Sequence, residues 1–273
     1  MNKRNYYREG YPRGFRLVVV ITSAFLIAPA LVVVLTSFNS APYLSFPMKG
    51  FSVHWIIEYL RSALFTQSFT LSLLLAAAAS TGALLLGIPA SIALVRVRFP
   101  GRDLLQALLV APLMLPGAVI GLALYTYYVN IGVLMRSFPG LLLGHIIIAM
   151  PFVVITVVGA LSSFNIDIEN AARILGANAI QAFFKATLPN IYPSIMVGGF
   201  LAFIYSFGQF SISLYLSTPD LDPLPVALYS TLRFAHDPRV AAAGSVAIVL
   251  VVSSILIVNR FTDLDKWFAG FRF

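Results

Sequence analysis

The side chains that could do chemistry in this sequence are concentrated in residues 167–189, which separate two long apolar runs. Asp167 and Glu169 open this passage, and a Leu-Pro pair closes it. On a helix over residues 168–183, small side chains recur three and four positions apart beside large apolar ones. Carboxylates at the start of a helix favour its dipole, and Asp167 is a candidate N-cap. The pattern is typical either of a docking surface or of a helix lying on lipid headgroups.

Residue patterns of familiar enzymes are absent from the rest of the sequence. There are no cysteines, and His54, His145 and His236 are scattered. No glycine precedes a lysine, so the chain has no P-loop, and no Gly-x-Ser-x-Gly elbow occurs. We therefore predict no catalytic residue, no metal site and no cofactor bound by this chain. His145 opens an apolar run, and we interpret it as a structural histidine with satisfied hydrogen bonds.

The composition indicates an integral membrane protein. Of 273 residues, 59% are hydrophobic and 10% are charged, and the mean hydropathy is +0.90. A soluble domain has about 25% charged residues. The net charge of +8 could suggest nucleic acid, but these charges lie between apolar runs, where they orient a chain in a bilayer. We predict no nucleic-acid partner.

Six apolar segments are long enough to cross a bilayer as helices, and none of them contains Asp, Glu, Lys or Arg. They are residues 17–38, 69–95, 104–129, 141–161, 194–216 and 240–259. The third segment holds Pro112 and Pro116 with Gly117 and Gly121, which predicts a kinked or locally unwound span. The first is preceded by a basic stretch and is interpreted as an uncleaved anchor.

The distribution of Lys and Arg predicts the orientation of the spans. Thirteen of the 18 Lys and Arg residues lie in the N-terminal segment, the second-to-third connection, the fourth-to-fifth connection and the C-terminal tail. The side richer in positive charge is cytoplasmic. Both termini and residues 167–189 are therefore expected on the cytoplasmic side.

Two outer segments have recognisable features. Residues 50–61 place Trp55, Ile56, Tyr59 and Leu60 at helical spacing, which predicts an interfacial helix or a docking surface for an external partner. The outer loop 218–239 contains four prolines and is predicted to be rigid and extended, as a connector or a contact surface.

The uncharged spans bear on the source of energy. Ion-driven carriers usually bury a titratable group in the membrane, because the coupling ion must be bound and released. The absence of charged residues from the six spans favours a protein that is powered by another subunit. A secondary carrier or channel remains the alternative, since sodium sites can be built from carbonyls and hydroxyls.

Residues 167–189 also resemble the cytoplasmic loop of bacterial ABC importer permeases. That loop has Glu-Ala-Ala, three further residues, Gly and a later Ile-x-Leu-Pro. Here Ala171-Ala172 leads to Gly176, and Leu188-Pro189 follows after eleven more residues. Asn170 stands at the family's glutamate position, with Glu169 one residue earlier, and Ala186 replaces the isoleucine. Residues 94–101, 145–157 and 224–243 are similar to permeases of the spermidine/putrescine-type branch, which also serves opines and aminoalkylphosphonates.

The resemblance implies an all-α integral membrane protein with six transmembrane helices and the type I ABC importer permease fold, in a bacterial inner membrane. The implied partners are a cytoplasmic ABC ATPase dimer, which holds ATP and magnesium, a second permease subunit of a different chain, and a periplasmic substrate-binding protein. The implied ATPase-coupling residues are Glu169, Asn170, Ala171, Ala172, Leu175, Gly176, Phe183, Leu188 and Pro189. Which of Glu169 and Asn170 contacts the ATPase stays open.

The resemblance implies a small polar solute of the polyamine, opine or aminoalkylphosphonate class. Polyamine permeases often have an acidic pair in the fifth span, where this sequence has Ser206-Phe207-Gly208-Gln209. An unpaired buried cation is costly, which favours an amphoteric, neutral or anionic solute. Tyr205, Ser206, Gln209, Ser211 and Ser213 could line a polar path, or could equally form hydrogen bonds between helices.

The predicted organisation follows from these assignments. It comprises a cytoplasmic segment 1–16, a first transmembrane helix 17–38, an outer loop 39–68, a permease domain 69–259 that contains the coupling loop 163–193, and a cytoplasmic tail 260–273.

Overall fold

The computed structural model describes residues 13–262, with side chains over residues 14–260. The predicted cytoplasmic segment 1–16 and tail 260–273 therefore lie almost entirely outside the described residues. The described chain is helical, with two isolated β-bridges. In chain order the helices are α1 (Arg13–Ser37), α2 (His54–Arg61), α3 (Ala63–Arg96), α4 (Arg102–Val110), α5 (Gly117–Ile131), α6 (Phe138–Ser163), α7 (Ile166–Ile174), α8 (Ala179–Ala182), α9 (Leu188–Phe207), α10 (Ser211–Leu216), α11 (Leu224–Phe234) and α12 (Arg239–Thr262).

Five of the described helices are long and apolar enough to span a membrane, and a bent pair makes a sixth span if it is counted as one. The five are α1, α3, α6, α12 and the helix that ends at Phe207. Prolines lie inside several of them, as membrane helices permit when neighbouring groups satisfy the freed backbone. The prediction of an all-helical membrane protein is confirmed, and the described residues contain the six predicted spans when the bent pair is counted as one.

The third predicted span is bent, as its prolines indicate. Helix α4 continues into a 3₁₀ turn (Ala111–Leu113), and α5 starts at Gly117 at 105° to it. Pro112 lies in the 3₁₀ turn and Pro116 is the N-cap of α5. A proline cannot donate to the backbone ladder, so two of them four positions apart end one helix and begin the next.

The fifth span differs from the prediction of one helix over residues 194–216. Helix α9 begins earlier, at Leu188, and continues without a break from the helical residues 179–187, so that the span covers Ala179–Phe207. It ends at Phe207, and residues 208–210 are not helical. The short helix α10 then completes the segment.

The chain divides into two compact units, residues 63–230 with 250–262 and residues 13–62 with 231–249. In the first of these, α3, α6 and α9 pack through small residues: Ala83, Ala149 and Ala202 are fully buried. A Cβ on Gly198 of α9 would stand 3.1 Å from the Cα of Val153 on α6. Small residues thus let the helix backbones approach closely, as in other membrane bundles.

The other unit contains α1, α2 and the first part of α12. A Cβ on Gly244 of α12 would stand 3.0 Å from Cγ1 of Val33 on α1. The predicted helix within residues 50–61 is present as α2, and Nε1 of Trp55 donates to the carbonyl of Ala41 at 3.0 Å.

The prediction of an extended loop over residues 218–239 was wrong. The segment forms α11, in which Pro225 is the second residue and Pro223 immediately precedes the helix. The amide of Val226 donates to the carbonyl of Pro223 at 2.9 Å. Prolines with a fixed φ favour the first turn of a helix as readily as an extended chain.

Candidate functional site

The loop after α6 is built from two short helices rather than the single helix predicted over residues 168–183. Helix α7 starts after Asn165, whose side chain accepts a hydrogen bond from the amide of Asp167 at 2.9 Å. Asn165 is therefore the N-cap, and the assignment of Asp167 as the cap was wrong. An Asn at this position satisfies one of the amides that a helix start leaves unpaired.

A glycine turn ends α7. Gly176 has φ +95°, its amide donates to Arg173 O at 3.0 Å, and the amide of Ala177 donates to Ala172 O at 3.1 Å. This pair of bonds is the Schellman motif, which favours glycine because its φ is positive. Helix α7 therefore ends in a turn at Gly176.

The second short helix begins with a capping box. The side chain of Asn178 accepts from the amide of Gln181 at 2.8 Å, and the side chain of Gln181 accepts from the amide of Asn178 at 3.1 Å. A π-helical turn (Phe183–Thr187) then joins α8 to α9. Single π turns are frequent at functional sites.

A buried carboxylate fixes this loop to the bundle. The residue Glu169 is 1% exposed, and its Oε2 lies 2.6 Å from Nη2 of Arg96 at the end of α3. Its Oε1 lies 2.9 Å from Nη2 of Arg173. The hydroxyl of Thr187 donates to Oε2 at 2.6 Å, and Arg96 also donates to Thr187 at 3.1 Å. We name Glu169, Arg96, Arg173 and Thr187 the anchor cluster.

The anchor cluster keeps Glu169 ionised. Burial by itself would raise the pKa of this carboxyl, but hydrogen bonds from Thr187 and Arg96 and the charge of Arg96 lower the pKa below its ordinary value. The guanidinium of Arg96 also lies 5.7 Å from the ring centroid of Phe183. The end of α3, the helix α7 and the π turn are thus joined through one side chain.

The sequence pattern did not identify Arg96 or Thr187 as members of this site. In the sequence, Arg96 is one of the charges that orient the spans, and Thr187 belongs to no recognisable pattern. The pairs Arg96–Glu169 and Thr187–Glu169 are separated by 73 and 18 positions. The only signal in the sequence is that Arg96 ends an uncharged span and Glu169 lies in the connection between the fourth and fifth spans.

The opposite surface of the loop is apolar and exposed. Ile174, Leu175, Ile180 and Phe184 are 86%, 89%, 70% and 59% exposed. We name these four side chains the apolar tip. Ile174 and Leu175 immediately precede Gly176, where an added Cβ would meet no atom within 4 Å.

The predicted coupling residues divide between these two surfaces. Those at the exposed surface are Asn170, Ala171, Leu175, Gly176 and Pro189. Ala172 and Phe183 are half-buried, and Leu188 packs against the core. Glu169 is buried, so Asn170 is the polar side chain that faces outward at this position.

The polar side chains of the fifth span also divide into two sets. The side chains of Ser206 on α9 and Ser213 on α10 are buried, and their hydroxyls lie 2.8 and 3.0 Å from Nδ1 and Nε2 of His145 on α6. For these two serines the structure shows hydrogen bonding between helices, in contrast with a role in lining an open path. His145 is 1% exposed and has a partner at each ring nitrogen, as expected for a structural histidine.

The other three candidate path residues are accessible. Gln209 and Ser211 are half-buried, and a Cβ on Gly117 would stand 3.4 Å from Nε2 of Gln209 and 3.2 Å from Cβ of Ser211. The interruption of the fifth span therefore lies against the bend of the third. Tyr205 is exposed, and its ring centroid lies 4.8 Å from that of Phe152.

This combination of a helical bundle of membrane spans with an anchored, apolar-tipped loop defines a transport permease, and comparisons with known proteins agree. The family described as "Binding-protein-dependent transport system inner membrane component" matches residues 83–264. The chain belongs to this family, and it is a permease component of the bacterial inner membrane.

Two curated relatives match over most of their length. The putrescine transport system permease protein PotI of Escherichia coli (strain K12) is 32% identical over 92% of this chain and 95% of that protein. The spermidine/putrescine transport system permease protein PotC of the same organism is 29% identical over 86% of this chain and 88% of that protein.

A solved structure shares the fold. It is that of a bacterial ABC transporter involved in the import of the acidic polysaccharide alginate, with a TM-score of 0.69 and 18% identity over 92% of this chain and 99% of the matched chain. The permease fold implied by the sequence is confirmed.

Proposed function

We propose that this permease imports a small polar solute with energy from a separate cytoplasmic ATPase dimer, which docks on the apolar tip. The observation that carries the proposal is the exposure of Leu175 and Ile174, which are 89% and 86% accessible at the end of an ordered loop. Exposed apolar patches bordered by polar groups are typical of interaction sites. ATP and magnesium belong to the ATPase partner, and this chain binds neither.

The anchor cluster supports docking of a protein over simple attachment to lipid. A helix that lies on headgroups buries its apolar face in the boundary between headgroups and acyl chains. Here α7 is joined to the bundle through the buried carboxylate of Glu169, and the side chains of the apolar tip are 59% to 89% exposed. Two arginines and a threonine hold this geometry, so a force applied at the tip is passed to the end of α3 through Arg96.

The transport step follows from this connection. The permease performs no covalent chemistry and has two conformations, whose balance a partner can change only by binding one better than the other. ATP binding brings two loops together, one from this chain and one from a second permease of a different sequence, and turns the cavity outward. A periplasmic substrate-binding protein delivers the solute there.

The solute path in this chain is formed at the interruption of the fifth span. Tyr205, Gln209 and Ser211 are the accessible polar side chains there. None of them is charged, which favours a solute recognised through hydrogen bonds. The names of the relatives make putrescine and spermidine the first solutes to test. Opines and aminoalkylphosphonates, which the family resemblance implies, are the next.

The docking proposal is tested with Leu175→Asp and its conservative partner Leu175→Met. The aspartate removes apolar area and adds a charge at the contact, so we expect the ATPase to be lost on co-purification and uptake to fall to background. Leu175→Met preserves the apolar character and is expected to retain both. If Leu175→Asp retained attachment and uptake, the apolar tip would not be the docking surface.

The solute class is tested by uptake in cells that lack other polyamine carriers and produce this permease with its partner subunits. Uptake of labelled putrescine or spermidine that depends on an active ATPase would establish the polyamine class. Uptake of an opine or an aminoalkylphosphonate, with no polyamine uptake, would instead support the amphoteric, neutral or anionic solute that the uncharged fifth span favours.

A further inference from the structure

The two parts of the fifth span are joined through a side chain of another helix. Ser206 lies at the end of α9, Ser213 lies within α10, and residues 208–210 between them are not helical. His145 of α6 contacts both hydroxyls, Ser206 at 2.8 Å and Ser213 at 3.0 Å. All three side chains are at most 3% exposed. One imidazole therefore bridges the interruption from outside the span.

The direction of each hydrogen bond follows from the next one in the series. The hydroxyl of Ser213 donates to the carbonyl of Gln209 at 2.7 Å, so toward His145 it can only accept. Nε2 of His145 is then the donor, and in a neutral imidazole Nδ1 accepts from the hydroxyl of Ser206. Each hydroxyl and N–H group in the series Ser206–His145–Ser213 thus donates one hydrogen bond, and the last acceptor is the backbone carbonyl of Gln209.

Apolar packing holds α10 against α6 without fixing its direction. Ile212 and Leu216 are buried in a cluster with Leu141 and Ile148 of α6. A Cβ on Gly144 would stand 2.8 Å from Cδ1 of Leu216, so the contact is close. Burial of apolar surface is non-directional, whereas hydrogen bonds require particular distances and angles. The hydrogen bonds of His145 therefore select one orientation of α10 among those that apolar packing permits.

We propose that His145 is a positioning residue for transport, which sets the geometry of the interruption and thereby holds Gln209 and Ser211 against the bend of the third span. This inference rests on the proposed solute path for its functional consequence, but its structural claim does not depend on that path. Loss of the imidazole would leave α10 packed and would free its direction relative to α9.

The absence of cysteine in the sequence permits a direct measurement. Spin labels at Tyr192 on α9 and Leu214 on α10 report on the interruption, and labels at Tyr192 and Ile155 on α6 form a control pair that does not cross it. These three positions are 52%, 42% and 42% exposed. Distances are measured in the full transporter complex with the native chain, with His145→Phe, and with Ser91→Ala. Ser91 is a buried serine whose hydroxyl bonds only within its own helix.

We expect His145→Phe to broaden the distance distribution between 192 and 214 roughly twofold and to leave the control pair unchanged, because the minor orientations of α10 become populated. Ser91→Ala should change neither pair. Solute uptake should fall roughly tenfold in His145→Phe, as for loss of one buried hydrogen-bond series, while the ATPase still co-purifies.

An unchanged distribution between 192 and 214 in His145→Phe would overturn the inference. If that variant misfolds, so that both pairs broaden, Ser213→Ala decides, since it removes the two bonds of the Ser213 hydroxyl, to His145 and to the carbonyl of Gln209, and retains the imidazole. Selective broadening supports the inference and no change overturns it. Loss of ATPase attachment in the native chain would instead contradict the proposed function, and the distance measurement would stay informative.

Discussion

Arg96 and Glu169 lie 73 positions apart in the sequence, and their side chains are 2.6 Å apart in the structure. The carboxylate side chain is 2% exposed and the guanidinium side chain 24%. An ion pair this buried is costly to break from one side, because the remaining charge keeps its desolvation cost and loses its partner.

Arg96→Ala is therefore expected to destabilise the protein by roughly 2–3 kcal/mol. Arg96→Lys retains the charge but loses the second hydrogen bond, to Thr187. Its free energy of unfolding should therefore lie between those of the native chain and Arg96→Ala. Denaturant titration of the full chain in detergent measures the effect. Arg98→Ala is the matched control, because Arg98 is exposed two positions away, and its effect should stay within about 0.5 kcal/mol. Equal effects of the two alanines would contradict a structural role for the ion pair.

The charge of Glu169 gives the loop a pH dependence. Its pKa is lowered on folding by Thr187 and the arginines, so its contribution to stability is complete above the ordinary value of 4.5. The contribution is lost as the pH falls further, through the lowered pKa of the folded state. Difference infrared spectra of the native chain and Glu169→Gln should show the protonated carboxyl band only below pH 4.5. A protonated band at neutral pH would contradict the ion pair.

Gly176→Ala tests the turn that presents the apolar tip. A Cβ there meets no neighbour, so the expected cost is the strain of φ +95°, about 1 kcal/mol. Gly176→Asn should cost less, since Asn adopts the left-handed region more readily. Gly159→Ala is the control: its Cβ also meets open space, but φ there is ordinary for a helix. Gly159→Ala should stabilise the protein. If Gly159→Ala and Gly176→Ala both destabilised it, the positive φ of Gly176 would not be the cause.

Asp222, between α10 and α11, is expected to lower stability at neutral pH. Burial raises its pKa from 3.8 to about 6. The folded state therefore binds the proton more tightly, and stability decreases as pH rises between these two values. Asp222→Asn should add roughly 1–2 kcal/mol at pH 7.5 and nothing near pH 3.5. Thermal unfolding at both pH values measures this, and a gain that is the same at both would contradict the assigned pKa.

The sequence predicted those features that depend on neighbouring residues. The apolar runs located the spans, the two prolines located the bend of the third, and the Ala-Ala to Gly spacing located the loop. The prediction of one helix over residues 168–183 was wrong because it used the spacing of small side chains and overlooked the tendency of glycine to end a helix at Gly176.

The contacts that organise the two candidate sites could not be predicted in this way. His145 meets Ser206 and Ser213 across 61 and 68 positions, and each residue by itself is an ordinary polar group in an apolar run. Which of several serines pairs with the imidazole depends on how α6, α9 and α10 pack. Hydrophobic periodicity states which face of a helix is buried, but not what that face meets.

The π turn over Phe183–Thr187 has a consequence for the movement of the loop. A π turn contains one residue more than an α turn over the same rise. Rewinding it as α-helix would rotate everything before it by roughly 100° about the axis of α9. The buried hydroxyl of Thr187, at the last position of this turn, would have to leave Glu169 for that rotation to occur. The conversion of this π turn to α-helix and the breaking of the Thr187–Glu169 hydrogen bond are thus expected to occur together.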